Sequence, residues 1–439
     1  MNTLQTRRSF LRSTALGGAL GWTAPSFLAA TFDQLHAEAA DKAVQTATGK
    51  DAPILVVLQL AGGNDGLNTV VPFADDDYRR ARPTLGLKAD QVLKLNDHFG
   101  LHPALTGFKS LYDAGQLGIM QSVGYPNPNR SHFRSTDIWM TATDSDRYGN
   151  LGWLGRYFDN ACAGADPTVG VAIGRQSPLA FVAKKPTGVA LENPDSYRFA
   201  EGESDGNSDM VGSTRFYREM NATDTHAMSG DSVHTLGGTA AAHTGSPLDF
   251  LERTAMDAQV SSDQIRSIAT KAKNQVDYPA ARLATDLKLV AKLIAGGMPT
   301  RVYYVSQGGY DTHQGQAGTH PRLLTELGDS LKAFLADLKA LGQLDRVLVL
   351  TFSEFGRRVG ENASGGTDHG AAAPLFVLGG KVKVGLHGEA PSLASRDLLN
   401  GDVKFRTDFR AIYAGVLEHW LRTPSEPILG RKFAPVAVV

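Results

Sequence analysis

The sequence predicts an α/β fold in which a mostly parallel central sheet is flanked by helices on both faces. Short apolar runs of strand length alternate with stretches whose apolar residues recur at helical spacing. Polar, glycine-rich turns follow several of the apolar runs, which is typical of the carboxyl ends of parallel strands. With 439 residues and 42% hydrophobic content, the chain can bury one large α/β core or two smaller ones.

Residues 1–39 are predicted to be a twin-arginine export signal. The motif Arg7-Arg8-Ser9-Phe10-Leu11-Arg12 precedes a weakly apolar stretch over 14–30, and Ala37-Glu38-Ala39 offers a small-residue cleavage site. Several glycines make the stretch a poor spanning helix, which would need about 20 apolar residues, so no stable membrane span is expected. We expect the twin-arginine translocase as a partner during export and a periplasmic or extracellular location for residues 40–439. Retention by an uncleaved signal is the alternative.

Composition excludes some classes of function. The formal net charge is -1 and no cluster of lysines or arginines appears, so no nucleic-acid partner is expected. Cys162 is the one cysteine of the sequence, which rules out an intrachain disulfide. Stability must therefore come from the core and from any bound metal.

Four apolar runs are predicted to be strands of the sheet. They cover 54–60, 117–123, 301–306 and 346–352. The spacing of apolar residues predicts helices from Ser131 onward, over 323–341, over 250–294 and over 409–421. Residues 202–247 are rich in Gly, Ser and Thr and form a predicted insertion, either a surface loop or a lid over the site.

Polar side chains follow each predicted strand at its carboxyl end, where ligands bind in open parallel sheets. They are Asp65, Ser131, Asp311 with His313, and Glu354. An adjacent pair, Asp368-His369, lies in a glycine turn before another apolar run and offers a carboxylate and an imidazole.

These acidic and histidine side chains are sufficient to bind two divalent metal ions. The candidate ligands are Asp65, Asp311, His313, Asp368, His369 and His387. Two ions about 4 Å apart can activate a nucleophile and stabilise both oxygens during hydrolysis of a phosphate or sulfate ester. The ligand types do not distinguish zinc, manganese, iron, calcium or magnesium. The alternatives are a turn cap for Asp65 and an ordinary loop histidine for His387.

Ser131 is the candidate nucleophile, because a helix start would place its hydroxyl near amide donors and a favourable dipole. The competing interpretation is a simple helix cap. Glu354 is assigned to metal binding or to orienting a ligand, or else to an ion pair with Arg357 or Arg358. The candidate clamps for the ester oxyanion are Arg130, Arg134 and Arg357.

Five motifs carry a resemblance to a known family. They are Leu60-Ala61-Gly62-Gly63-Asn64-Asp65-Gly66-Leu67-Asn68, Ser131-His132-Phe133, Gly308-Gly309-Tyr310-Asp311-Thr312-His313, Glu354-Phe355-Gly356-Arg357 and Thr367-Asp368-His369-Gly370. Together they resemble the bacterial domain-of-unknown-function family 1501 over nearly the whole mature chain. That family looks like a branch of the alkaline phosphatase and sulfatase superfamily, which implies an alkaline-phosphatase-like fold, a binuclear metal site and a Ser, Thr or formylglycine nucleophile.

The resemblance implies that Asp65, Asp368 and His369 bind one metal, while Asp311, His387 and a further histidine bind the other. That histidine is either His313 or His320, because Asp311 and His313 are closer in sequence than the superfamily pattern requires. The Cys or Ser followed by x-Pro-x-Arg of type I sulfatases is missing, so formylglycine chemistry is not expected.

The sequence thus predicts an exported, metal-dependent hydrolase that acts on a small-molecule or polymer ester of phosphate or sulfate. The catalytic residues would be Ser131, Arg357 and Glu354, with attack by hydroxide in place of Ser131 as a mechanistic variant. The alternative function is a non-catalytic secreted binding or cell-surface assembly protein that keeps the fold and a structural metal site.

Overall fold

The computed structural model describes residues 52–163, 165–185, 188–194 and 263–439. The predicted signal over 1–39 and the predicted insertion over 202–247 lie outside the described residues. The strands are β1 Ile54–Leu60, β2 Val70–Val71, β3 Leu93–Lys94, β4 Gly100–Leu101, β5 Leu117–Gly124, β6 Gly170–Ile173, β7 Val189–Leu191, β8 Val302–Gln307, β9 Val347–Phe352, β10 Ala373–Gly379, β11 Gly385–His387 and β12 Thr407–Asp408.

Helices separate several of these strands along the chain. They are α1 Gly66–Thr69, α2 Asp76–Ala81, α3 Thr106–Asp113, α4 His132–Thr141, α5 Trp153–Ala161, α6 263–271, α7 Arg282–Ala295, α8 Gln316–Ala340, α9 Phe409–Gly415 and α10 Glu426–Leu429. A π-helical turn, Val416–Trp420, extends α9. Among the described residues, no helix combines the length and the apolar character that a bilayer crossing needs.

The central sheet is mostly parallel, as the sequence predicts. The described residues form nine strands in the order β11-β5-β10-β9-β1-β8-β6-β7, with β12 also paired to β5. Among these described strands, β10 alone runs antiparallel to its neighbours, β5 and β9. A separate sheet of three short strands has the order β2-β4-β3. The amino end of β10 therefore lies at the same sheet edge as the carboxyl ends of the parallel strands.

Helices cover both faces of this sheet, and alternate residues of β1 show how. Ile54, Val56 and Leu58 pack into a core with residues of α3, α7 and α8. Leu55 and Val57 point the other way, into a core with residues of α4, α5 and α9. Every residue of β1 is buried, as a parallel strand covered on both sides requires. The predicted α/β class is confirmed.

One helical prediction is wrong in its extent. The sequence pattern predicts a continuous helix over 250–294, but in its described part α6 ends at residue 271 and α7 begins at Arg282. Pro279 lies between them, and proline lacks the amide donor that a helix interior needs. The connecting segment is fixed instead by the buried Asp337 carboxylate, which accepts hydrogen bonds from the Gln275 amide at 2.7 Å and the Tyr278 hydroxyl at 2.9 Å.

Candidate metal centre

Three histidines and one aspartate converge at the carboxyl edge of the central sheet. Asp311 and His313 lie in the turn after β8, His132 begins α4 after β5, and His369 precedes β10. Because β10 is antiparallel, its amino end brings His369 to the edge where the other strands end. The topology of the sheet therefore assembles the site from segments far apart in sequence.

The potential ligand atoms of His132, Asp311 and His369 all lie within 4.8 Å of one another. Asp311 Oδ1 is 3.1 Å from His369 Nε2 and 3.2 Å from His313 Nε2. Asp311 Oδ2 is 3.4 Å from His132 Nε2. The Nε2 atoms of His313 and His369 are 2.8 Å apart. Three side chains thus bring potential ligand atoms close together, and His313 lies beside two of them, Asp311 and His369.

The other ring nitrogen of each histidine has its own hydrogen-bond acceptor. His369 Nδ1 is 2.8 Å from the carbonyl oxygen of Arg130, which can only accept, so Nδ1 carries the proton. His132 Nδ1 is 2.9 Å from a carboxylate oxygen of Glu354 and donates to it. In the neutral ring each Nε2 then carries a lone pair directed at Asp311. Metal-binding histidines are held in this tautomer by the same kinds of acceptor.

His313 follows the same pattern through Asp368. His313 Nδ1 is 3.2 Å from Asp368 Oδ1, which also accepts a hydrogen bond from Asn362 Nδ2 at 3.0 Å. The bond from Asn362 and, to a lesser extent, the bond from His313 lower the pKa of Asp368, so this carboxylate is ionised. Asp368 therefore orients His313.

The donor set fits a divalent cation. Converging lone pairs repel one another, and a cation between them would remove that repulsion. His132 Nε2 is also buried with no hydrogen-bond partner among the described residues, so a cation would give it one. Burial lowers the pKa of His369, which favours its neutral, ligating form. Burial alone would raise the pKa of Asp311, but the hydrogen bond from Arg357 and its positive charge oppose that effect, and the pKa is lowered to about 2. The contacts of 3.1 to 3.4 Å to Asp311 match the spacing of roughly 3.3 Å expected between ligands of a tetrahedral zinc-sized ion.

Arg357 is buried beneath the site and holds it together. Its side chain donates to Asp311 Oδ1 at 2.7 Å and to the carbonyls of Gly63 at 2.7 Å, Thr367 at 2.8 Å and Tyr310 at 3.0 Å. It also bonds the carbonyl of Gly62. The chain uses these donors itself, so Arg357 positions Asp311 and does not extend toward a ligand.

The glycine-rich loop after β1 must approach the site closely. A Cβ atom at Gly62 would lie 2.4 Å from the backbone nitrogen of Asp311, and the residue has a φ of +121°. The amide of Gly62 also donates a hydrogen bond of 2.8 Å to Glu354 Oε1. This is the same oxygen that accepts the hydrogen bond from His132 Nδ1. Only glycine permits this approach.

Three residues expected near the metals make other contacts. Asp65 is completely buried and pairs with Arg82 at 2.6 Å, and it also accepts a hydrogen bond from Gln316. His387 Nε2 donates to the carbonyl of Lys383 at 2.9 Å on the edge strand β11. His320 lies buried with its Nε2 2.9 Å from Asn64 Oδ1. The structure therefore does not bring these three side chains into the convergent group.

His132 is the member of the convergent group that the sequence analysis did not assign as a metal ligand. It lies between Ser131 and Phe133, in a motif already singled out for its serine. The signal available was its position after a predicted strand, but only the sheet order shows that β5 lies beside β10 and hence close to His369.

Ser131 is the neighbour in sequence of His132, a member of the convergent group. It is exposed, precedes the first residue of α4, and within the described chain its side chain makes no capping hydrogen bond. Its hydroxyl is therefore available to a ligand. Arg134, by contrast, is buried and donates to the carbonyls of Asp144 at 3.1 Å and Ser145 at 3.0 Å. It therefore stabilises the neighbouring loop, whereas it was predicted as a clamp for the ester oxyanion.

The buried His320 should make the protein sensitive to acid. Burial lowers its pKa to about 4, whereas the unfolded side chain titrates near about 6.5. Between these values the unfolded chain binds a proton that the folded protein does not, so stability falls as the pH falls. We expect His320 to account for a loss of about 2 kcal/mol between pH 8 and pH 5.

Urea unfolding of His320→Gln at both pH values measures this loss, because glutamine keeps a donor toward Asn64 and does not titrate. The variant should lose less stability on acidification than the wild type. His98→Gln, at an exposed histidine, is the control and should behave like the wild type. An acid loss in His320→Gln equal to that of the wild type would refute the assignment.

The fold and the site define an α/β protein with a candidate metal centre at the carboxyl edge of its sheet. Residues 52–428 match the family model described as "Protein of unknown function (DUF1501)", and the chain belongs to that family. The membership expected from the motifs is confirmed. A search of curated proteins gives no match.

Several solved structures are similar to this chain. The PsFucS1 sulfatase from Pseudoalteromonas sp. is 13% identical, with 91% of this chain and 74% of that chain covered and a TM-score of 0.36. The phosphonate monoester hydrolase SpPMH from Silicibacter pomeroyi is 10% identical, with 87% and 78% covered and a TM-score of 0.37. A protein in the alkaline phosphatase superfamily from Vibrio parahaemolyticus is 8% identical, with 88% and 70% covered and a TM-score of 0.36.

Proposed function

We propose that this protein is an exported, metal-dependent hydrolase of phosphate or sulfate esters. The observation that carries the proposal is the convergence of three imidazole Nε2 atoms on the Asp311 carboxylate, with the opposite nitrogen of each ring bound to an acceptor. Histidines that bind metals donate their other ring N–H to acceptors of the same kinds, which supports a metal at this position. The twin-arginine motif supports export, and the family resemblance supports ester chemistry.

His132, Asp311, His313 and His369 would hold the ion. Glu354, Asp368 and the Arg130 carbonyl keep the rings in the binding tautomer, and Arg357 fixes Asp311. When bound, a divalent ion would supply a Lewis acid for the ester oxygens. We propose one ion at this centre, because a second ion with Asp65 as a ligand would have to displace the buried guanidinium of Arg82.

Ser131 is the proposed nucleophile. Its oxygen would form a bond to phosphorus or sulfur while the bond from that atom to the ester oxygen breaks, and the proton lost by the serine hydroxyl would end on the leaving alcohol. Water would then release phosphate or sulfate and restore the hydroxyl. The amino end of α4, a helix of 10 residues, favours an anion at this position.

Ser131→Ala tests that role. If Ser131 attacks, the variant should lose at least about a hundredfold in kcat, and rapid quenching of the wild type should trap a covalent phosphoserine. Ser145→Ala, at a serine of the neighbouring loop, is the control. Near-normal turnover in Ser131→Ala without a trapped intermediate would assign the attack to water or hydroxide.

A substrate screen with controlled metal occupancy tests the function itself. Aryl phosphates, phosphodiesters and aryl sulfates would be offered to the full chain as purified, after chelation, and after return of each candidate metal. We expect hydrolysis of one ester class, lost on chelation and restored by metal. His369→Ala should lose both metal and activity, and His419→Ala, at an exposed histidine distant in sequence from the ligands, should keep both.

Two other outcomes would favour the non-catalytic function. Bound metal without hydrolysis of any ester class would point to a structural metal centre in a secreted binding or cell-surface assembly protein. Absence of bound metal after reconstitution would contradict the metal centre altogether.

A further inference from the structure

Two half-exposed arginines share one buried carboxylate beside the metal centre. The Asp402 side chain has no exposed surface, whereas the side chains of Arg130 and Arg358 are 41% and 39% exposed. Arg130 Nε donates to Asp402 Oδ2 at 2.9 Å, and Arg358 Nε lies 3.3 Å from Oδ1. Two positive charges therefore face one negative charge. Arg358 also donates to the carbonyl of Asn400 at 2.5 Å. Each guanidinium has five N–H donors, so several remain for another partner.

Backbone hydrogen bonds fix this group against the metal centre. The carbonyl of Arg130 accepts the hydrogen bond from His369 Nδ1 at 2.8 Å, and the amide of Arg358 donates to the carbonyl of Asp368 at 2.9 Å. Both arginines therefore lie on segments whose backbone is hydrogen-bonded to Asp368 and His369 of the centre.

The other arginines around the site differ from this pair. The side chains of Arg82 and Arg357 are completely buried and bind carboxylates and carbonyls of the chain itself. Arg134 is buried and binds the carbonyls of the neighbouring loop. Arg130 and Arg358 combine partial exposure with an excess of positive charge. A second anion would relieve the repulsion between them.

We propose that Arg130 and Arg358 form an anion-binding subsite that receives a second anionic group of the substrate, beside the scissile phosphate or sulfate. The substrate class is then an ester with a neighbouring carboxylate, sulfate or phosphate, whose oxygens suit the fork of a guanidinium. This inference rests on the proposed hydrolase function for its substrate, but anion binding can be measured without turnover.

Two variants with opposite expected effects separate binding from a structural role. Arg358→Gln removes one positive charge, and inorganic phosphate should bind at least about tenfold more weakly by calorimetry. Asp402→Asn removes the competing charge and keeps one acceptor oxygen where the wild type has two, so phosphate should bind more tightly. Arg322→Gln, at an exposed arginine of α8, is the matched control and should not change binding.

Hydrolysis gives the second measurement. The ratio of kcat/KM for a carboxyphenyl ester to that for the phenyl ester should fall in Arg358→Gln and rise in Asp402→Asn. Weaker binding in both variants, or unchanged binding in both, would overturn the subsite. Arg358→Lys serves as the variant if the glutamine protein fails to fold, and it should bind phosphate with intermediate affinity.

If no ester is hydrolysed, the proposed function fails while the phosphate titration still decides the subsite. The second case is that esters are hydrolysed, but Arg358→Gln and Asp402→Asn do not have opposite effects on the kcat/KM ratio and on phosphate affinity. The subsite is then refuted while the proposed hydrolase function stands.

Discussion

Asp311→Asn should reduce hydrolysis to background and lower metal affinity by more than about a hundredfold. The substitution keeps the shape of the side chain but removes the charge on which all three histidines converge. Loss of a residue that merely orients a ligand typically costs about 10- to 100-fold in affinity or activity, so loss of the central ligand should exceed that range. Metal content per chain by elemental mass spectrometry and kcat/KM on the best ester measure the two effects.

Glu354→Gln provides a graded comparison for Asp311→Asn. Glutamine still accepts a hydrogen bond from His132 Nδ1 but carries no charge. The loss of metal affinity and activity in this variant should therefore be about 10- to 100-fold. Asp90→Asn, at an exposed aspartate, should match the wild type. A thermal melt controls for folding, because Asp311→Asn leaves the buried Arg357 without its anionic partner. Normal metal content in Asp311→Asn would refute the proposed centre.

Arg82→Met should destabilise the protein by about 3 to 5 kcal/mol. Both side chains of the Arg82–Asp65 pair are completely buried, so removing the cation leaves a carboxylate that burial alone would force toward protonation. Breaking a buried pair by removing one partner typically has a cost of this size. Urea unfolding at neutral pH gives the change in the free energy of unfolding.

The double variant Asp65→Asn with Arg82→Met shows whether the two charges are coupled. It should be more stable than the sum of the single variants predicts, because no unpaired charge remains. Metal content of Asp65→Asn separates the two roles considered for this aspartate. Unchanged metal content assigns Asp65 to the ion pair, and loss of an ion would restore it as a ligand.

The sequence by itself determined the elements that build the site. Runs of buried β-branched and aliphatic residues predicted β1, β5, β8 and β9, because a strand covered on both faces has a local and recognisable composition. Turn residues after those strands placed Asp311 and Glu354 at the sheet edge. Such inferences need only short-range patterns, and the folded protein has these strands with both residues in the turns that follow them.

Tertiary structure decided which of these residues meet. His132 joins the group because β5 is separated from β9 by the antiparallel β10, an order that no local pattern contains. Asp65 follows β1 as predicted, yet its carboxylate forms an ion pair with Arg82, 17 residues later in the sequence. A guanidinium and a metal ion both satisfy a buried anion, so composition cannot tell them apart. Only the fold determines which cation is within reach.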